Sequence, residues 1–471
     1  MVFSSMVFLW CFLPIVLLGY YIIGRLSWGN ESVKMTAKNV WLFLASLFFY
    51  AWGGVYYLGI LCGITVIDYT SGRVLEKCDE YRKKSVLVIT ISLNLLILFV
   101  FKYANMLASV LEAKSWSEIA LPIGISFFTF QAMSYVIDVY RGEVETLKNF
   151  LDFSLYVVFF PQLVAGPIVK FKDIRSQLRG RKESLDMFSE GVKRFCYGLG
   201  KKVLLANSCA EIADKIFDGD VASMGASVAW LGILAYTLQI YYDFSGYSDM
   251  AIGLGRMFGF SFAENFNYPY MALSIRDFWR RWHMSLSGWF RDYVYIPLGG
   301  NRKGLPRTCL NIFIVFLLTG IWHGAEYSFF LWGIIYGIIL VAERLGLGKL
   351  LEKNPIKPIN YIYTMLVVSL CWVLFRADSI GAACLYYSRL FSKGNSSLIP
   401  ESFLSMKGIL AIAFGIILMG PAQAIYGRYF SDKVSEKSVL LLNVICEIGI
   451  LAASLLLLVG STYNPFIYFM F

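Results

Sequence analysis

Long continuous apolar runs recur along the whole chain, at roughly 4–24, 38–52, 54–70, 85–101, 120–139, 150–168, 224–242, 309–322, 327–342, 360–376, 406–423 and 439–460. A helix of about 20 such residues spans a bilayer's hydrocarbon core. A membrane barrel would instead alternate apolar and polar residues in segments of about ten. These runs do not alternate, and backbone polar groups in lipid must bond within their own segment, so they read as helices. With 16% charged and 58% hydrophobic residues, the composition excludes a soluble chain of this length. The expectation is an all-α polytopic membrane protein with about ten to twelve crossings. Shorter apolar pieces near 203–213, 246–260 and 380–391 read as half-helices or interfacial helices.

The first run lacks a basic flank and a small-residue cleavage site, so it reads as a retained span. Positive charge after that span, at Arg25, Lys34 and Lys38, assigns the following loop to the cytoplasm. The loops at 73–84, 170–202 and 276–307 are also basic, and simple alternation does not keep all of them on one side. A segment between 120 and 169 is therefore expected to be re-entrant or broken, with Pro122, Gly124, Pro161, Gly166 and Pro167 as the breaks. Topology retention accounts for the net charge of +10 without nucleic acid as a partner. The cluster from Lys170 to Lys202 exceeds that need and would suit an acidic carrier protein or anionic lipid. The nine cysteines form no Cys-x-x-Cys pair and read as reduced thiols, with no metal site. Glycines spaced four apart, Gly255 with Gly259 and Gly333 with Gly337, are expected to let helices approach closely. Asp243 and Asp249 in "DFSGYSD" are expected to hold neighbouring segments together, and Asn265 and Asn267 to form a turn.

The chain has two histidines. His283 lies in "RDFWRRWHMSLSGWFRDY", where Trp279, Trp282, Leu286, Trp289 and Phe290 fall on one face of a helix. That face predicts an interfacial amphipathic helix, its aromatics in the acyl boundary and its arginines at headgroups or over an anionic ligand. His323 lies in "GIWHG", after 14 largely apolar residues counted from Cys309, a depth of about 21 Å along a helix. The apolar stretch around it is too long for one crossing, so a break is expected between Gly320 and Gly324. If the helix continued instead, Glu326 would face the ring. An ionisable group at a break inside a membrane lines a cavity or pairs with a partner. A neutral imidazole is a suitable general base at neutral pH. It can take the proton of a hydroxyl attacking a thioester, whose thiolate leaves readily. No Gly-x-Ser-x-Gly elbow, zinc motif, Walker loop or dinucleotide fingerprint is present.

The stretches Phe278–Arg302, "LLTGIWHG" and "LWGIIYG", with Gly124–Gly142, "FFPQLVAGPI" and Tyr241–Phe260, resemble the membrane-bound O-acyltransferase (MBOAT) family. Its bacterial branch includes alginate O-acetyltransferases and the D-alanyl transfer proteins of teichoic acid. The resemblance covers most of the chain. It implies one domain over 1–471, with its core motifs in 120–342, and about eleven transmembrane helices plus re-entrant and interfacial helices around a central tunnel. It places the family's invariant histidine on His323 and a second catalytic position on His283. It implies acetyl-CoA or a phosphopantetheine thioester, free or on an acyl carrier protein, as the cytoplasmic donor, with no bound cofactor. The acceptor would be a hydroxyl of an exported or cell-wall polysaccharide, or of a periplasmic or extracellular partner protein. The membrane would be the bacterial cell membrane.

Arg276, Arg280, Arg281, Arg302 and Lys303 are expected to meet donor phosphates, and Asp277, Trp279, Trp282 and Trp322 to line the donor site or tunnel. Within the family, D-alanyl transfer or acylation of a lipid are alternatives. Outside it, two histidines in a membrane chain also suit a bis-histidine haem subunit, or a polysaccharide transporter.

Overall fold

We describe a computed structural model of the chain, covering all residues except 113–115, 117, 393–397, 423, 424, 426–435, 461, 462 and 468–471. The described residues are helical, with no strand among them. The helices used below are α1 (Phe8–Arg25), α2 (Glu31–Ala51), α3 (Tyr56–Lys77), α4 (Glu80–Val110), α5 (Ile125–Tyr140), α6 (Phe150–Val158), α7 (Leu185–Gly200), α8 (Ala226–Met257), α9 (Ile275–Arg281), α10 (Met284–Phe290), α11 (Gly304–His323), α12 (Tyr327–Ala342), α13 (Lys357–Arg376), α14 (Met406–Leu418) and α15 (Glu436–Gly460). Among the described residues, seven helices are long and apolar enough to cross a membrane, α1, α3, α4, α11, α12 with its continuation to Lys353, α13, and α15 from Leu441. The chain is an all-α polytopic membrane protein.

The helices form two compact units, one of Met1–Phe195 with Tyr247–Glu264, the other of Cys196–Gly246 with Asn265–Phe471. In the first, the expected break between 120 and 169 is present. Gly124 caps α5 in the left-handed region at φ 76°, and a Cβ there would meet the Leu163 carbonyl oxygen at 2.5 Å, so only glycine suits the site. The run at 150–168 does not form one span. Helix α6 stops after nine residues, and Pro161 begins a separate turn, Phe160–Leu163, because proline cannot continue a helix already running. The core of this unit is aromatic, with Phe160 5.2 Å from Phe12, 5.5 Å from Phe49 and 5.9 Å from Phe258.

Much of the basic cluster at 170–202 is engaged internally. Lys172 pairs with Glu143 and Arg175 with Glu145. Arg179 pairs with Asp152, and Arg194 bridges Asp249 and Glu264. The cluster is therefore in large part a set of cross-links, which weakens the case for a docking face.

Two expectations are corrected at α8. The sequence suggests a span ending near 242 and a separate piece from 246, but one helix runs from Ala226 to Met257. The aspartates do not interrupt it because each has a partner: Lys202 stands 2.7 Å from Asp243 and Arg194 2.7 Å from Asp249. Gly255 and Gly259 do not form a helix-packing pair either. Gly255 faces the ring of Phe262, and Gly259 lies past the helix end at φ 81°, where it turns the chain. The close approach is made by Gly253 on Gly191, each placed so that a Cβ would strike the other's carbonyl oxygen at 2.6 or 2.7 Å.

Candidate active site

His323 and His283 both lie in the second unit. His323 is the last residue of α11, and Gly324 continues in extended conformation. The break expected between Gly320 and Gly324 is thus placed directly after the histidine. Helix α12 packs tightly on α11, because a Cβ on Gly320 would meet the Phe329 carbonyl oxygen at 2.5 Å and one on Gly333 the Phe316 carbonyl oxygen at 2.6 Å. Gly337, 2.9 Å from the Phe313 ring on the same measure, completes the pairing expected of Gly333 and Gly337.

This packing delivers rings to His323. Its imidazole is buried, with Trp322 at 5.0 Å, Trp332 at 5.2 Å, Phe375 at 5.1 Å and Phe329 at 6.4 Å between ring centroids. Glu326 does not take the position it would have on a continuous helix. It is exposed and stands at the start of α12, so the spacing of three that would aim it at His323 does not exist.

The stretch around His283 also departs from expectation. It is two seven-residue helices, α9 and α10, separated at Trp282 and His283. His283 has left-handed dihedrals, φ 44° and ψ 53°, uncommon for a residue with a side chain. The helix breaks because its backbone groups find other partners: the Asn267 amide donates to the Arg281 carbonyl and the Met284 amide to the Asn265 carbonyl, both at 2.9 Å. The aromatics do not form an outward-facing surface. Trp279, Trp282, Trp289 and Phe290 are all buried in the protein.

The His283 ring is buried, with Phe244 edge-on at 4.6 Å. Its Nδ1 stands 3.1 Å from Oδ1 of Asn265, which also accepts from the Ser285 amide at 3.2 Å and the Ser285 hydroxyl at 2.8 Å. Burial pushes the His283 imidazole down to about 3, so the ring is neutral at physiological pH. Asn265, expected as a turn former, is a buried partner of the histidine. Its role depends on a contact eighteen residues away, which no local pattern signals. Trp322 lies 6.1 Å from the His283 ring and 5.0 Å from that of His323, so one indole touches both.

Beside these rings is a cavity of about 310 Å³, with Arg276, Arg280, Arg291 and Arg344 on its wall and apolar side chains including Phe290, Val315 and Phe316. Arg276 is paired with Glu352 and Arg291 with Asp292. Among the described residues, no carboxylate lies within ion-pair distance of Arg280 or Arg344, and both are exposed. Trp279 lines the cavity and touches Trp332 at 5.6 Å, and Trp332 in turn stands against His323.

The other expected site residues do not line this cavity. Asp277 pairs with Arg281 at 3.0 Å, and Trp282 packs among Phe266, Tyr270, Phe278 and Trp372. Arg302 and Lys303 are exposed and do not line the cavity. Sequence reasoning missed Arg344, and also Glu343, whose buried carboxylate accepts from the Ile275 and Arg276 amides at 2.8 and 2.9 Å and so caps α9.

The arrangement provides a buried imidazole in an apolar cage, a second imidazole, that of His283, which burial keeps neutral, and a cationic cavity joined to the cage by edge-to-face indoles. A profile described as "MBOAT, membrane-bound O-acyltransferase family" matches residues 10–388. The chain is 40% identical over 502 residues to "Probable alginate O-acetylase AlgI" of Pseudomonas putida, with all of both chains covered. It is 36% identical over 419 residues to the peptidoglycan O-acetyltransferase of Helicobacter pylori, covering 81% of this chain and 78% of that one. It is 25% identical over 387 residues to the teichoic acid D-alanyltransferase of Bacillus subtilis, covering 76% and 93%.

Proposed function

The chain belongs to the membrane-bound O-acyltransferase family, and on that premise we propose that it moves an acetyl group from a thioester to a polysaccharide hydroxyl with His323 as general base. It is an O-acyltransferase, which sets aside the haem and transporter readings. The observation that carries the role of His323 is its cage, a buried imidazole at a helix end enclosed by Trp322, Trp332, Phe329 and Phe375.

In this reading the acceptor oxygen attacks the thioester carbonyl carbon while its proton passes to His323. The carbon–sulfur bond then breaks and the thiolate leaves, taking up the proton that the imidazolium returns. The apolar cage keeps water away from the thioester, so that transfer outruns hydrolysis. His283 is the second polar group of the site. Arg280 and Arg344 suit the phosphates of coenzyme A or a phosphopantetheine arm, and Trp279 suits the wall along which that arm reaches the cage. The acceptor is an exported or cell-wall polysaccharide, or a protein that relays the acyl group to it, on the outer side of the bacterial cell membrane. Acetyl is preferred over D-alanyl because the relatives named for O-acetyl transfer share 36–43% identity and those named for D-alanyl transfer 25–30%.

Purified protein in nanodiscs tests this with acetyl-CoA and with a D-alanyl carrier protein, each against His323→Ala. Release of thiol from acetyl-CoA that is lost in the variant is expected. Equal release by both proteins removes His323 from the chemistry, and turnover of the D-alanyl donor alone reverses the choice of acyl group.

A further inference from the structure

Asn265 and His283 set a proton position that can be read from geometry. The Asn265 side-chain atom 3.1 Å from Nδ1 of His283 also lies 3.2 Å from the backbone nitrogen of Ser285. A backbone N–H can only donate, so the atom it faces is the carboxamide oxygen and not the NH2 group. The Ser285 hydroxyl, 2.8 Å away, adds a donor to the same oxygen. An amide oxygen only accepts. The hydrogen between it and the imidazole therefore belongs to Nδ1. A neutral ring carries one N–H, so the lone pair is on Nε2.

The backbone supports the same reading. His283 is one of three described non-glycine residues with positive φ, a conformation costing about 1–3 kcal/mol that persists where surroundings enforce it. The enforcing bonds come from the Asn265 segment itself, through the Asn265 carbonyl to Met284 and the Asn267 amide to Arg281. One short segment thus holds both the backbone and the ring of His283.

We propose that Asn265 is a positioning residue for acyl transfer, holding His283 as its Nδ1–H tautomer so that it meets the reacting groups as a hydrogen-bond acceptor through Nε2. This rests on the acyl-transfer reading given above. It assigns a direction to the second histidine. Neutral His283 accepts from an O–H or N–H, and the oxyanion formed on the thioester carbonyl takes its hydrogen bonds from other donors.

With two histidines in the chain, selective 15N-histidine NMR in nanodiscs reads the tautomer directly, since protonated and lone-pair ring nitrogens resonate far apart. His323→Gln leaves His283 as the sole signal and assigns it. The expected spectrum is the Nδ1–H form, changed in Asn265→Ala. The same Asn265→Ala protein, with His323 present, is expected to lose about 100-fold in kcat for thiol release, with KM for acetyl-CoA within about twofold of wild type. An Nε2–H form in the protein with Asn265 present overturns the proposal, as does Asn265→Ala with unchanged kcat. Absence of acetyl-CoA turnover in wild type overturns the acetyl-donor reading instead, and is told apart because the tautomer is measured without turnover.

Discussion

Gly320 of α11 and Gly333 of α12 abut so closely that a Cβ on either would lie 3.1 Å from the other's Cα. The same added carbons would strike the Phe329 and Phe316 carbonyl oxygens at 2.5 and 2.6 Å. Backbone cannot yield as a flexible side chain does, so Gly320→Ala or Gly333→Ala should cost about 1–3 kcal/mol. Thermal unfolding in detergent checks this. Because Phe329 and Trp332 reach His323 from α12, thiol release should fall in the same variants even below their melting temperature. Full activity in a folded Gly333→Ala protein would show that the cage tolerates separation of the helices.

The cavity arginines separate donor binding from chemistry. Arg280→Ala and Arg344→Ala should each raise KM for acetyl-CoA about tenfold and leave kcat within about twofold. Arg302→Ala and Lys303→Ala, at positions away from the cavity, should change neither. Steady-state kinetics at two ionic strengths distinguishes the sets, since only the first should also weaken with added salt.

Burial of His283 makes stability depend on pH. Its imidazole moves from 6.5 to about 3 on burial, so between these values the unfolded chain binds a proton that the folded chain does not. Stability therefore falls as pH drops from about 6.5 towards 3, by up to ~1.4 kcal/mol per pH unit from this group. Melting curves of wild type and His283→Gln across that window should converge as the pH falls. Parallel curves would mean that the ring titrates normally in the fold.

Lys202 and Asp243 form a buried ion pair at 2.7 Å, each side chain only 2% exposed. Removing one partner leaves an uncompensated charge, which costs about 3–5 kcal/mol. Lys202→Met should accordingly reduce the yield of folded protein sharply. Lys202→Met with Asp243→Leu should recover much of that loss, and folded yield from size-exclusion chromatography is the readout.

The helical class, the break after His323 and the prominence of the Gly-Ile-Trp-His-Gly stretch were legible because each rests on local pattern: run length, glycine and a rare ionisable residue in apolar surroundings. The pairing of Gly333 with Gly337 was legible for the same reason. The split between α9 and α10 was not, since the aromatic spacing continues through Trp282 and only the distant Asn267 amide and Asn265 carbonyl divide it. The continuous α8 was hidden in the same way, because Asp243 and Asp249 look like interruptions until Lys202 and Arg194 are seen beside them. Of the expected donor-site residues, those on the cavity side of α9, Arg276, Trp279 and Arg280, came together. Arg344 joins them from beyond α12, a position that sequence spacing does not relate to the others.

The Lys202–Asp243 pair carries a consequence for biosynthesis. Asp243 also accepts the backbone amide of Ile467 at 2.9 Å, across 224 residues of chain, and Lys202 donates to the Pro465 carbonyl. The ribosome thus makes Lys202 and Asp243 long before it has made the residues that complete their polar centre. Through that interval the two charges have only each other. A nascent chain stalled before Pro465 should then remain a substrate for membrane quality control, whereas one stalled just beyond Ile467 should not.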